Sequence, residues 1–507
     1  MSDLAARVGE VLAVDPDEFR ERASADAAVV KEELAAGTFD NHQASVGLEY
    51  EFYAVADRRR DGDASPTLTR VPRRLLELIG FEKELGLHNA EMTTNPQPLN
   101  AHGLRAQAAE VRARLTSALE CTKAEGMRLV SDGIWTVPPA GETARDYLTD
   151  SVTDDGVRIA TNMSDAVRYH AMANGPTAPE ETVVEAPHVR LTADTVMPES
   201  LITSIQPHFQ VSYAEDLPVY HNYAVRLAGP LLALGANAPF FPPDLYDDDA
   251  TAEAVLADGW HEHRIAVFES TLNAGDAEKV RFPRDLESAE EAVDRVAADA
   301  TMVPMPVHPG GDRFDDEFAT LRLKHGTFWR WVRPVFDGAS RSAANARIEF
   351  RPLPAQPTVR DTIAFQAAFA GLLESLPRRE HPVIGLDWAD ARRNFYAAMR
   401  EGSGSDQRWV TNDGHETTNP AVLYDDILSH AAAGLRSAGC SAAEAEEYLA
   451  PLRHRVSTRT TPADWKRRRV QEAIHAGDSL AEAITSMQAD YVARQSETLV
   501  EGSFADW

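Results

Sequence analysis

The run Val46-Gly47-Leu48-Glu49-Tyr50-Glu51-Phe52-Tyr53-Ala54-Val55 constrains this chain more than any other stretch. Aromatic and β-branched residues fit a pleated surface, and the charged run Asp57-Arg58-Arg59-Arg60-Asp61-Gly62 reads as a turn that ends the segment, so the pattern predicts a strand. Side chains alternate along a strand, which puts Glu49 and Glu51 on one face and Leu48, Tyr50 and Phe52 on the other. Two neighbouring carboxylates on a buried strand repel each other and resist leaving water unless a cation, most simply Mg²⁺ or Mn²⁺, lies between them. The alternative is a sheet surface on which both acids are solvated.

Three further segments carry polar residues at strand spacing. Glu91-Met92-Thr93-Thr94 reads as a short strand closed by Asn95-Pro96. Residues 204–213 read as a strand that places His208, Gln210 and Ser212 on one face, beside Phe209 and Val211. In residues 346–354, Arg347, Glu349 and Arg351 share a face while Ile348 and Phe350 take the other. That cation-anion-cation ladder is either a surface salt-bridge row, which contributes little, or a site where guanidinium groups grip phosphate or carboxylate and Glu349 holds a metal.

Between these strands the periodicity is helical. Residues 1–40 form a leading helical element with Asp15-Pro16-Asp17 as a start and Gly37 as a stop. Helices are expected at 72–79, 101–126, 162–174 and 217–234, then almost continuously at 358–375, 387–400, 420–438, 442–449, 462–476 and 479–493. The polar Gly402-Ser403-Gly404-Ser405-Asp406 loop divides a catalytic region, 41–402, from a helical C-terminal region, 403–507. The fold class is α+β: a curved, mainly antiparallel sheet whose concave face carries the site, backed by helices. A doubly wound parallel sheet is disfavoured because strands do not alternate strictly with helices and no nucleotide loop follows the first strand.

The formal net charge of -30 argues against nucleic acid or an anionic membrane as partner. Lysine is confined to positions 31, 83, 123, 279, 324 and 466 while arginine and alanine abound, a composition that resembles cytosolic proteins of salt-accumulating microbes. Cys121 and Cys440 stand too far apart for a disulfide framework, and no leader or spanning run is visible, so a soluble, cytoplasmic protein is expected. Walker loop, dinucleotide fingerprint, His-Glu-x-x-His, nucleophile elbow and Cys-x-x-Cys are all absent. His261 and His263 in Trp260-His261-Glu262-His263-Arg264 read as exposed polar residues rather than zinc ligands, and Lys466-Arg467-Arg468-Arg469 as a solvated helix face.

Taken in order, Gly47-Leu48-Glu49-Tyr50-Glu51-Phe52, Glu91-Met92-Thr93-Thr94-Asn95-Pro96, His208-Phe209-Gln210-Val211-Ser212 and Arg347-Ile348-Glu349-Phe350-Arg351 resemble the motifs of the glutamate-cysteine ligase and carboxylate-amine ligase family, of the glutamine synthetase-like superfamily. The resemblance spans roughly residues 45–402. It implies ATP and Mg²⁺, or Mn²⁺, as cofactors. Glu49, Glu51, Glu91 and Glu349 would hold the metal ions that chelate ATP, with His208 as a further metal or phosphate contact and Glu84 as a less secure ligand. Arg351 would bind the transferring phosphate, with Glu349 and Glu51 completing the catalytic set. Arg264, Arg347 and Gln210 would contact nucleotide or a substrate carboxylate. Gln210 departs from the family, many members having a second histidine there, and the segments around 140–200 and 300–320 are long insertions.

The implied reaction phosphorylates the γ-carboxyl of glutamate and lets the amine of cysteine displace phosphate, giving γ-glutamylcysteine, without a Ser or Cys nucleophile. Three alternatives stay open: ligation to another amine, a guanidino-kinase-like phosphotransfer on the same fold, and a non-catalytic acidic scaffold.

Overall fold

Strand β1 (Ser45–Ala56) is the axis of the molecule: five other strands pair directly with it. The computed structural model describes residues 2–56, 66–175, 178, 181–273, 278–307 and 311–507, so the turn expected at 57–62 lies outside the described residues. After β1 come β2 (Thr67–Leu68), β3 (Glu82–Lys83), β4 (Asn89–Thr93), β5 (Gln97–Pro98) and β6 (Met127–Val130). Two separate hairpins follow, β7 (Ser151–Asp154) with β8 (Val157–Ala160) and β9 (Thr182–Ala186) with β10 (Val189–Ala193). Strands β11 (Ile205–Gln210), β12 (Val332–Asp337) and β13 (Asn345–Phe350) then return to the main sheet. Its order is β12-β13-β11-β1-β4-β3, with β2, β5 and β6 also on β1, and every pairing is antiparallel. The sheet curls into a half-barrel, and helix makes up 53% of the chain, as the α+β expectation required.

Burial along β1 follows the alternation in its sequence. Val46, Leu48, Tyr50 and Phe52 are buried behind the sheet, while Ser45, Gly47, Glu49 and Glu51 face the hollow and are only partly covered. Behind the sheet Tyr50 packs on Phe52 at 4.2 Å, and Phe350 stacks at 4.5 Å on Phe369 from the buried helix Val359–Ser375. Thr358 caps that helix by accepting from the Asp361 amide. Two charge pairs with almost no exposure tie the C-terminal helices to this layer. Arg455 donates to Asp361 at 2.8 Å, and Lys466 pairs with Asp132 and donates to the Asn237 carbonyl.

Several helix expectations need correction. The stretch expected as a helix over 162–174 is helical only at Val167–Met172, because Asn162, Ser164 and Asn174 engage backbone groups instead of continuing the turn pattern. The 442–449 helix runs on to Thr458 through Pro451. The basic run at 466–469 is not a solvated face: Lys466 is buried against Asp132, and Arg467 donates to the carbonyls of Gly259 and Leu256. His263 is likewise buried, between Phe241 and Trp260. Strand β11 ends at Gln210, so Ser212 lies beyond it.

Residues 2–40 supply helices Ser2–Leu12 and Pro16–Ala35, the second capped by Asp15, which accepts from the Asp17 and Glu18 amides. Helix Ser2–Leu12 lies against Val167–Met172, and Phe39 packs with Phe314, Phe318 and Phe336. Among the described residues no helix is long and apolar enough to cross a membrane.

Candidate active site

Strand register explains how segments three hundred residues apart meet. Glu51 lies opposite Glu91, Glu49 opposite Gln206, His208 opposite Glu349, and Glu349 opposite Arg333. Because these pairings all fall on one pleat face, their side chains converge in the hollow of the sheet. The resulting cavity of about 440 Å³ is lined by Glu49, Glu51, Glu82, Glu84, Glu91 and Glu199, by Arg168, Arg333 and Arg351, and by Tyr169, Phe268 and Trp329.

The carboxylates fall into two electrostatic groups. Burial disfavours the Glu349 anion, yet Arg333 and Arg351 together hold its carboxyl well below the usual range. Arg333 grips it through two nitrogens at 2.8 and 3.0 Å, and Arg351 reaches its Oε1 and the Gln206 Oε1 with one nitrogen. For Glu49, burial again opposes ionisation and nearby His208 outweighs it, so its carboxyl also titrates low. On the other wall, burial and the Glu84 charge push Glu51 up to about 7, against hydrogen bonds to Glu51 from the Ser204 amide at 2.6 Å, the Ser204 hydroxyl at 2.9 Å and Gln206 Nε2 at 2.8 Å. Burial and the charges of Glu49 and Glu84 drive Glu91 well above the usual range, and it hydrogen-bonds the Glu84 carboxyl, which burial also raises. Burial and Glu84 also raise Glu199.

This donor set fits a hard divalent cation. Glu51, Glu84 and Glu91 line one cavity without a basic partner at salt-bridge distance among the described residues, and oxygen-only ligation is what Mg²⁺ or Mn²⁺ takes. The group around the hollow whose ligand atoms lie within 4.8 Å of one another, among the described residues, is Glu49, His208 and Glu349. There the histidine has a specific constraint. Arg347 Nε donates to His208 Nδ1 at 3.2 Å, so in the neutral imidazole Nε2 carries the proton, 3.3 Å from Glu49 Oε1 but outside hydrogen-bond geometry. His208 can ligate through Nε2 only if Arg347 releases Nδ1.

The other expected contacts sit away from the cavity wall. Gln210 accepts from the Ser45 hydroxyl at 2.9 Å at the rim, and Arg347 pairs with Asp337 at 2.8 Å. Arg264 is buried: it donates to Glu262 at 3.2 Å and to the carbonyls of Arg351 and Pro352, and lies 5.3 Å from the Trp331 ring. It fixes the chain that presents Arg351 and does not line the cavity. Conversely, Gln206, Arg333, Glu199 and Arg168 are cavity residues outside the expected set. Gln206 was within reach of the alternation rule, two positions before His208, and Arg333 alternates with Val332 and Pro334; Glu199 sits in a short 3₁₀ turn with no periodic signal, and the helical spacing around Arg168 does not say which cavity it faces.

A second cluster, His381, Asp426 and His430, also brings ligand atoms together. Its hydrogen bonds are already made: His381 Nδ1 accepts from the Val383 amide, so Nε2 donates to Asp426, which also accepts from Trp409. A metal at His381 Nε2 would displace that proton and leave Nδ1 facing an amide hydrogen.

The family model for glutamate-cysteine ligase family 2 matches residues 45–496. No curated protein matches the chain in sequence. Among solved structures, the glutamate-cysteine ligase of Francisella tularensis, crystallised in complex with AMP, is similar with a TM-score of 0.50 and 11% identity, covering 91% of each chain. A bifunctional glutathione synthetase from Pasteurella multocida aligns with a TM-score of 0.47 and 15% identity over 93% of this chain and 55% of its own. The ligase PafA, solved with the ubiquitin-like protein Pup, aligns at 0.40 and 12% over 87% of this chain and 71% of its own. With nearly all of the catalytic sheet and most of the C-terminal helices inside the family match, the chain belongs to glutamate-cysteine ligase family 2, a family of ATP-dependent carboxylate-amine ligases.

Proposed function

We propose that the protein joins the γ-carboxyl of L-glutamate to the amine of L-cysteine, using ATP and passing through an acyl phosphate. The observation that carries this reading is the division of the cavity. A carboxylate cluster without a salt-bridge partner among the described residues, Glu51, Glu84 and Glu91, faces the Arg351–Glu349–Arg333 array across the sheet hollow. A divalent cation held by the cluster, with Glu49 and Glu349 as further ligands, would neutralise phosphate charge and align the nucleotide.

The chain's own groups then do the rest. Arg351 keeps Nε buried without a hydrogen-bond partner while its Nη1 is held by Gln206 and Glu349, which leaves a fixed donor for a transferring phosphoryl group. Ser204 and Gln206 fix the Glu51 carboxylate, and Phe268 and Trp329 restrict water on one wall. No side-chain nucleophile is needed, because ATP activates the carboxylate and the amine attacks directly. The lysine-poor, acidic composition supports a cytoplasm of high salt as the working environment.

ADP release by purified protein in high salt with Mg²⁺ tests this. Release that requires glutamate and cysteine together, with γ-glutamylcysteine as product, is expected. Release with glutamate and a different amine would move the protein to another acceptor, and phosphorylation of a guanidine without amide formation would replace the ligase reading.

A further inference from the structure

We propose that Arg168 recognises the carboxylate of an amino-acid substrate in this cavity, an inference that rests on the ligase reading of the site. The other two cavity arginines are committed: Arg333 and Arg351 both engage Glu349, and Arg351 also Gln206. Arg168 comes from a separate element, the Val167–Met172 helix, and reaches the same turn at 325–328 whose carbonyls Arg333 contacts. Among the described residues its Nε is buried with no hydrogen-bond partner, and its one hydrogen bond is a long one, from Nη1 to the Gly326 carbonyl at 3.4 Å. No described carboxylate pairs with it, although the cavity is rich in them.

The guanidinium has a seat made for it. A methyl group on Gly326 would meet Arg168 Nη1 at 2.4 Å and Cζ at 2.9 Å, so the planar group rests where only glycine leaves room. A partly buried cation without a counter-ion is unfavourable, and a planar fork of free donors is the shape that takes a carboxylate through two parallel hydrogen bonds. Tyr169, the next residue, lines the same wall. Both substrates carry an α-carboxylate that the reaction leaves untouched, so the same chemistry serves glutamate or cysteine.

Calorimetric titration with Mg²⁺ and a non-hydrolysable ATP analogue separates the sources. Glutamate is compared with 4-aminobutyrate, and cysteine with cysteamine, each pair differing by the α-carboxylate. For the wild type the carboxylated member of one pair should bind at least tenfold more tightly than its counterpart. Arg168→Gln should abolish that preference while leaving nucleotide affinity unchanged, Arg168→Lys should keep part of it, and Gly326→Ala should reproduce the loss by unseating an intact arginine. Whichever pair loses its preference identifies the substrate. A preference that survives Arg168→Gln, or a loss confined to nucleotide binding, overturns the assignment while the ligase reading stands. A wild type that binds neither amino acid and releases no ADP with them overturns both.

Discussion

Glu51 and Glu91 lie directly opposite each other on neighbouring antiparallel strands. Like charges in that position destabilise a sheet, and burial with the charges of Glu49 and Glu84 raises Glu91, so the metal-free fold resists ionising it. Metal-free Glu91→Gln is therefore expected to be as stable as the wild type or slightly more so. Mg²⁺ should stabilise the wild type, by about 2.7 kcal/mol at a hundredfold excess over its dissociation constant, and the variant much less. Urea denaturation with EDTA and with Mg²⁺ checks both; equal stabilisation of the two proteins would remove Glu91 from the metal site.

The same crowding sets a pH dependence. Burial and Glu84 raise Glu51 from an ordinary 4.5 to about 7, so the fold prefers its protonated form. Its contribution is fully present below about pH 4.5 and is lost as pH rises through 7, a span corresponding to roughly 3 kcal/mol. In EDTA, the stability of Glu51→Gln relative to wild type should rise across that interval and level off above it. A flat difference between pH 4.5 and 8 would mean that Glu51 titrates normally.

Arg351 is expected to act on the transition state. Arg351→Met removes the fixed donor beside Glu349, and a loss of about 10²–10³ in kcat is expected, with the nucleotide dissociation constant changed far less. Steady-state ADP release together with nucleotide titration measures the split. Arg264→Met should lower kcat as well, through the freed carbonyls of Arg351 and Pro352, but Arg264 is a positioning residue and the pH profile should keep its shape.

How much of this was legible in the sequence follows from which rules are local. Alternation on β1 placed Glu49 and Glu51, and alternation on β13 placed Glu349 with Arg347 and Arg351, because the period of a strand is independent of its partners. Register was not legible. That Arg333 rather than Arg347 grips Glu349 depends on how β12 pairs with β13, and that Gln206 rather than Gln210 reaches the cavity depends on where β11 crosses β1. Lys466 looked solvent-facing by charge and Arg264 ligand-facing by resemblance, yet each is buried by partners distant in sequence, Lys466 by Asp132. The helical spacing around Arg168 was legible, but the period of one short helix does not tell which cavity it meets.

Lys466 carries the last prediction. Its ammonium is surrounded by Asp132, the Asn237 carbonyl and, 4.4 Å away, the Tyr491 ring, with almost no exposure on either side of the ion pair. Asp132 also accepts from Gln488 and lies against Tyr53, so the pair joins the end of β1 to two C-terminal helices. Lys466→Met leaves the Asp132 carboxylate buried without its cation, and a loss of about 3–5 kcal/mol is expected. Adding Asp132→Asn should restore part of that loss, since an amide demands no counter-charge. Denaturant unfolding of the single and double variants measures it: a double variant no more stable than Lys466→Met would mean that packing of the lysine stem, and not the stranded charge, is what the fold requires there.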